Sequence, residues 1–170
     1  MGLKLIRFLS LLLTGLATGV VFSHVLEASH KAELPGPVYL TVQQVLLQDF
    51  GQVAGLLEAG ALLSALALLF MVRKDGPAFF LTLGGFLCLA AMIFVWTIWI
   101  YPINVQINAW TPRTLPLNWT EFRDHWAFFH TVRAVLALGG LSALIVAVLA
   151  DMPIGAKASR ITLPVGSLNR

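Results

Sequence analysis

Apolar residues fall into four runs, at about residues 5–25, 53–72, 78–101 and 126–149, and the connections between them hold most of the charges. At about 1.5 Å per residue, each run makes a helix long enough to cross roughly 30 Å of hydrocarbon. Backbone N–H and C=O groups find no water partner in lipid, so helices are the expected form. The pattern predicts an all-α protein, a membrane-embedded antiparallel four-helix bundle over residues 1–151, with a polar cytoplasmic tail at 152–170. The first run opens on Lys4 and Arg7, as a signal peptide would. No small-residue cleavage site follows, so this helix is expected to be retained.

The connections differ in character. "RKDGP" at 73–77 reads as a tight hairpin, with Gly76 and Pro77 as helix breakers. "ELPGP" at 33–37 ends the first helix. After it, "VYLTVQQVLLQDF" sets Val38, Val42, Val45 and Leu46 on one stripe and Thr41, Gln44 and Gln48 opposite. That is an amphipathic lead-in to the second span, lying on or just above the membrane. The last connection is a Pro/Trp-rich loop. Pro102, Pro112 and Pro116 are expected to keep residues 102–118 extended or turned, with Thr120 as the N-cap of the fourth helix and Glu121 in its first turn.

Composition agrees with a bilayer as the main solvent. The chain is 58% hydrophobic and only 11% charged, where a soluble domain carries about 25% charged residues. The net charge of +3 follows topology. Lys4, Arg7, Arg73, Lys74, Lys157, Arg160 and Arg170 share one side, while Lys31, Arg113 and Arg123 are mixed with acidic residues on the other. The positive-inside rule then puts both termini in the cytoplasm of an integral, multi-pass protein, as in a bacterial inner membrane. No basic cluster suits nucleic acid. Cys88, the one cysteine, excludes an internal disulfide and CxxC chemistry.

Ionisable residues inside a span are costly and mark functional sites by default. Glu58 lies about two turns into the second span and Arg133 about two turns into the fourth, from the same outer side. They are expected to form an ion pair, either a clamp between helices or part of a site. His24 and Glu27, three apart, could form a base and its orienter. Trp126, His130 and Arg133, at spacings of four and three, share a helical face. His30 and His125 are expected at loop and rim. Trp96, Trp99, Tyr101, Trp110, Trp119 and Trp126 fall toward the outer interface, where aromatic belts are ordinary. Trp110 and Trp119, in a Pro-braced loop with Arg113 and Arg123, could also cap a pocket for a flat apolar ligand. Asn104 and Asn108 could donate to a carbonyl there, and Gln43 on the lead-in is a further candidate for binding. No Gly-rich phosphate loop, GxSxG or HExxH is present. No metal or other cofactor is expected. Haem between His24 and His130 is the lesser alternative.

Taken in order, "FSHVLE", "VYLTVQQVLLQDFG", Glu58 and "PIN…WTPRTLPLNWTEFRDHW…H" resemble the anthrone oxygenase-like family of small four-helix membrane proteins, over roughly residues 10–150. Some members carry a second histidine where this chain has Arg133, which weighs against haem or metal. The resemblance implies a cofactor-independent oxygenase acting on a flat, lipophilic aromatic or quinone-like molecule. His24, oriented by Glu27, or His130 would be the base. Arg133 and Asn104 would hold an oxyanion, with Trp110, Trp119 and Trp126 walling the rings. A second reading, from a different class, is a non-catalytic accessory subunit or a lipophile- or haem-binding protein of a membrane complex. In that case "GLATG" (15–19), "LGG" (83–85) and "LGGL" (138–141) would offer packing faces to a membrane-protein partner or a second copy.

Overall fold

The structure, a computed structural model, describes residues 1–47 and 50–150. The predicted tail at 152–170, with Lys157, Arg160 and Arg170, lies outside the described residues, as do Gln48 and Asp49. The elements are α1 (Gly2–Ala32), α2 (Gly36–Thr41), α3 (Phe50–Met71), α4 (Gly76–Val95), α5 (Tyr101–Ala109) and α6 (Trp119–Ala150). A π-turn (Val42–Leu46) follows α2, and a second (Trp96–Ile100) joins α4 to α5. No strand occurs among the described residues. Among the described residues, four helices are long and apolar enough to cross a membrane: α1, α3, the continuous rod Gly76–Ala109, and α6. The chain is an all-α, integral-membrane four-helix bundle.

The helices form a closed square in which α1 packs on α3 and α6, and α4 packs on α3 and α6. Large apolar side chains point outward, among them Leu56, Leu63, Phe70, Phe80 and Val135, while Ala61, Ala65, Ala137, Ser10, Thr14 and Thr82 are buried. Leu68, Leu89, Met92 and Leu144 are buried among these small residues. Lipid accepts the bulky side chains, and close approach of helices rewards small ones. At the α4–α6 crossing, a Cβ added to Gly85 would lie 2.9 Å from Leu144 Cγ and 3.2 Å from the carbonyl oxygen of Gly140. All three small-residue stretches reach the bundle interior: Gly85 and Gly140 meet at this crossing, and Ala17 and Thr18 are buried, with Thr18 Oγ1 donating to the Ala137 carbonyl at 3.5 Å. Gly15 and Gly19 have open space where a Cβ would stand.

Several boundaries differ from the pattern. The "RKDGP" turn is tight, with Asp75 N–H donating to Val72 O, but Gly76 and Pro77 open α4 rather than break a helix. Proline is tolerated in a first turn, where its missing N–H has no partner to lose. The same physics corrects residues 102–109, expected to be extended. They are helical, because Pro102 sits in the first turn of α5. The wider π-turn before it, closed by Tyr101 N–H donating to Trp96 O, spares the proline ring a clash with the preceding turn. Asn104 and Asn108 are thus on a helix, not in a loop. The extended part of the connection is confined to about residues 110–118. Helix α6 starts at Trp119, so Thr120 is inside it rather than capping it. Asn118 precedes it and reaches Glu121 through its side-chain amide, 3.3 Å.

The lead-in is helical, but its faces differ from the predicted stripe, since Thr41 is exposed together with Val38 and Val45. Its stripe residues Val38, Val45 and Leu46 face outward, while Tyr39, Leu40 and Gln43 are buried. Gln44 donates from Nε2 to the carbonyl oxygens of Ile107 and Trp110, at 2.8 and 2.9 Å. These bonds strap the lead-in across the end of α5. At the same end Arg123 ties α6 to α1 by donating to Ala32 O, 2.8 Å.

Candidate functional site

Helical spacing alone brings Trp126, His130 and Arg133 to the inward face of α6, and all three are buried. Arg133 donates from Nη2 to Glu58 Oε1 on α3 and from Nε to the backbone oxygen of Met92 on α4, 3.2 Å. The predicted ion pair is present, and it ties three helices together. One turn nearer the N-terminus of α6, His130 meets His24 of α1, with ring centroids 4.2 Å apart and planes at 63°. Trp126 touches both, at 4.0 Å from His130 and 5.0 Å from His24. The Nδ1 atoms of both histidines are buried and have no hydrogen-bond partner among the described residues. Trp126 donates from Nε1 to Asn104 Oδ1, 2.9 Å. An indole N–H only donates, so this bond orients the amide and leaves the asparagine NH₂ free of that contact.

Glu27 does not orient His24. It pairs with Lys31, Oε2 to Nζ at 2.7 Å, and is itself half exposed. The four-residue spacing, acid before base, is a better helical contact than the three-residue spacing to His24. Lys31 was legible only as a topological charge, yet it is buried. Its ammonium stands 5.1 Å over the Trp126 ring and donates to Gln43 Oε1, 3.5 Å. Gln43 in turn donates to the Tyr39 hydroxyl, 2.8 Å. The Glu27–Lys31 spacing was the signal that could have found this cation.

These groups stand at a cavity of about 720 Å³, a size suited to a drug-sized ligand. His24, Glu58, His130 and Arg133 line it, together with Gln43, Asn104, Asn108 and Trp126. Trp110 and Trp119, expected to wall a ligand, do not line it. Trp110 packs edge-on against Phe122 at 5.1 Å, and Trp119 lies against Tyr39 at 5.4 Å, with Arg123 5.2 Å over its ring. They build an apolar cap over this end of the bundle, while Trp96, Tyr101 and Phe50 supply the aromatic lining instead. The spacing of Trp96 and Tyr101 gave no hint of a shared wall, because five residues face alike only across a π-turn. His30 and His125 are exposed, as expected.

Among the described residues no group of three or more His, Cys, Asp or Glu side chains is placed to hold a metal ion. The His24 and His130 rings touch, leaving no gap between them for a porphyrin. The arrangement offers paired imidazoles, a guanidinium held by a carboxylate, and amide donors at one end of an aromatic-lined space. That combination can take a proton and stabilise an oxyanion.

Fold and cavity define a class: a four-span membrane protein with a polar, aromatic-lined cleft inside the bundle. The sequence model of the family described as anthrone oxygenase matches residues 50–143, more than half of the chain. The chain belongs to that family. No curated protein and no solved structure matches it.

Proposed function

We propose that this protein is an oxygenase of the anthrone type, converting a flat, lipophilic, phenol-bearing ketone of the membrane to a quinone with O₂. The observation that carries the reading is the contact of His24 and His130 beside the Glu58–Arg133 pair, all lining one aromatic-walled cavity. An anthrone's methylene proton is acidic because the anion it leaves is aromatic. One imidazole takes that proton. Negative charge collects on the ketone oxygen, where Arg133 and the Asn104 amide stabilise it. The electron-rich carbon passes electrons to O₂ and forms a C–O bond, and protonation gives a hydroperoxide. Loss of the second methylene hydrogen with the O–O bond releases one water and leaves the second carbonyl. Anthrone and O₂ thus become quinone and water, and the atoms balance with O₂ as the oxidant. Trp126 and Trp96 flank the rings. Both termini are assigned to the cytoplasmic side on the distribution of basic residues.

The test is oxygen uptake and quinone absorbance in vesicles containing the purified protein and a hydroxylated anthrone. Wild-type protein accelerates both over empty vesicles. His130→Ala and His24→Ala lower the rate, and a general base of this kind contributes ~10²–10⁴-fold. Unchanged oxidation in both variants, with the fold intact by circular dichroism, overturns the reading.

A further inference from the structure

The cavity's walls are not equally covered. His24 and Val21 of α1 and Trp126, His130 and Arg133 of α6 are buried, and they form its back. The exposed lining residues are Gly51, Gly55 and Ala59 on α3, and Thr97, Tyr101 and Asn108 on the rod opposite. The α3 set recurs at four-residue steps, so it forms one edge of that helix. The two sets face each other across the cleft between α3 and the α4–α5 rod. Among the described residues, a Cβ at Gly51 or Gly55 would meet nothing within 4 Å. The outer surface beside the slot is apolar, with Val53 and Leu56 on one side and Phe94, Ile98 and Val105 on the other. Over 51–59 the small edge runs for about 12 Å along the helix.

Small residues in a membrane helix ordinarily let a neighbouring helix come close. Here, among the described residues, no neighbour lies within 4 Å of a Cβ at Gly51 or Gly55, and two imidazoles whose buried Nδ1 atoms have no hydrogen-bond partner stand behind the slot. We infer that the ligand enters sideways from the bilayer, through a slot between the outer halves of α3 and α4–α5. The ligand class follows: an aromatic ketone or phenol already dissolved in lipid, including one that keeps an alkyl tail in the hydrocarbon while its rings occupy the cavity. Glycine at 51 and 55 and alanine at 59 keep the slot wide enough for a flat ring system. Thr97 and Tyr101 form the opposite lip. This deepens the oxygenase reading and rests on it for the choice of ring chemistry, although the route stands on the geometry of the slot.

A phosphatidylcholine carrying benzophenone, an aromatic ketone, at the end of an acyl chain tests the route without turnover. It is mixed into phosphatidylcholine vesicles containing the full chain, irradiated, and the adducts are mapped by mass spectrometry. Adducts are expected on cavity residues such as Ile93, Trp96 and Ala54. Gly55→Leu, whose side chain would enter open space in the slot, loses them. Gly19→Leu, equally open but on α1 away from the slot, keeps them. Gly51→Leu is the second slot variant should Gly55→Leu fail to fold. Adducts confined to outward-facing side chains, or cavity adducts undiminished in a folded slot variant, overturn the inference. The two failures are separable. Cavity adducts without anthrone oxidation would remove the oxygenase reading and leave the entrance. Oxidation in vesicles at full rate by Gly55→Leu, with adducts unchanged, would do the reverse.

Discussion

Glu58 on α3 and Arg133 on α6 form a buried ion pair, and the same guanidinium donates to the backbone of Met92 on α4. One side chain therefore fixes three of the four spanning helices at the level of the cavity floor. Removing either partner leaves the other charge buried and uncompensated, which costs about 3–5 kcal/mol. Glu58→Ala and Arg133→Ala are each expected to lower the unfolding midpoint in detergent strongly. Glu58→Leu with Arg133→Leu together should recover most of that loss while leaving anthrone oxidation abolished. Thermal unfolding and quinone formation, measured on the same preparations, separate clamp from chemistry.

Glu27 holds Lys31 rather than His24, whose buried Nδ1 has no hydrogen-bond partner among the described residues. Glu27→Gln should therefore slow oxidation far less than His24→Ala does. Lys31→Met removes a cation from the Trp126 face, worth about 0.5–2 kcal/mol, and should lower stability modestly. A Glu27→Gln rate as low as that of His24→Ala would restore the base–orienter pair.

The α4–α6 crossing depends on Gly85. A Cβ there meets Leu144 and the Gly140 carbonyl, the second of which is backbone and cannot rotate away. Gly85→Ala should destabilise by about 1–3 kcal/mol through overpacking. Gly15→Ala, with open space at its Cβ, should be neutral or stabilising by up to about 1 kcal/mol from helix propensity. Unfolding midpoints of the two variants give the comparison.

Tyr39 lies outside the spanning helices, and burial pushes its phenol up to about 12, against the opposing hydrogen bond from Gln43. A raised value in the folded state means that folding favours the protonated phenol. Its contribution is fully present below about pH 10, the unfolded value, and is lost as pH rises through about pH 12. Phenolate absorbance should show one tyrosine ionising late, accompanied by a change in Trp119 fluorescence, since the rings lie 5.4 Å apart. Tyr39→Phe should abolish that late step. A single tyrosine phase near pH 10 would show that the cap does not protect the phenol.

Much of the site was legible because helix geometry converts spacing into direction. Trp126, His130 and Arg133 face inward together on their periodicity alone, and Glu58 follows because a charge in lipid requires a partner. The pairing of Glu27 was misread because two contacts were open to it, and sequence ranks them only weakly. Trp110 and Trp119 were misplaced for another reason. Their connection has no period, so which tryptophan walls the cavity and which caps it depends on where the chain turns.

By itself the sequence determined the solvent, the number of spans and the level at which the charges meet. Those are one-dimensional properties: apolar run length against bilayer thickness, and the cost of an unpaired charge. Only the tertiary structure decided that Pro102 restarts a helix through a π-turn, that Lys31 is buried over Trp126, and that the cleft opens between α3 and α4–α5. Each depends on which helices are neighbours and how closely they approach, and a linear pattern carries distances along the chain but not across it.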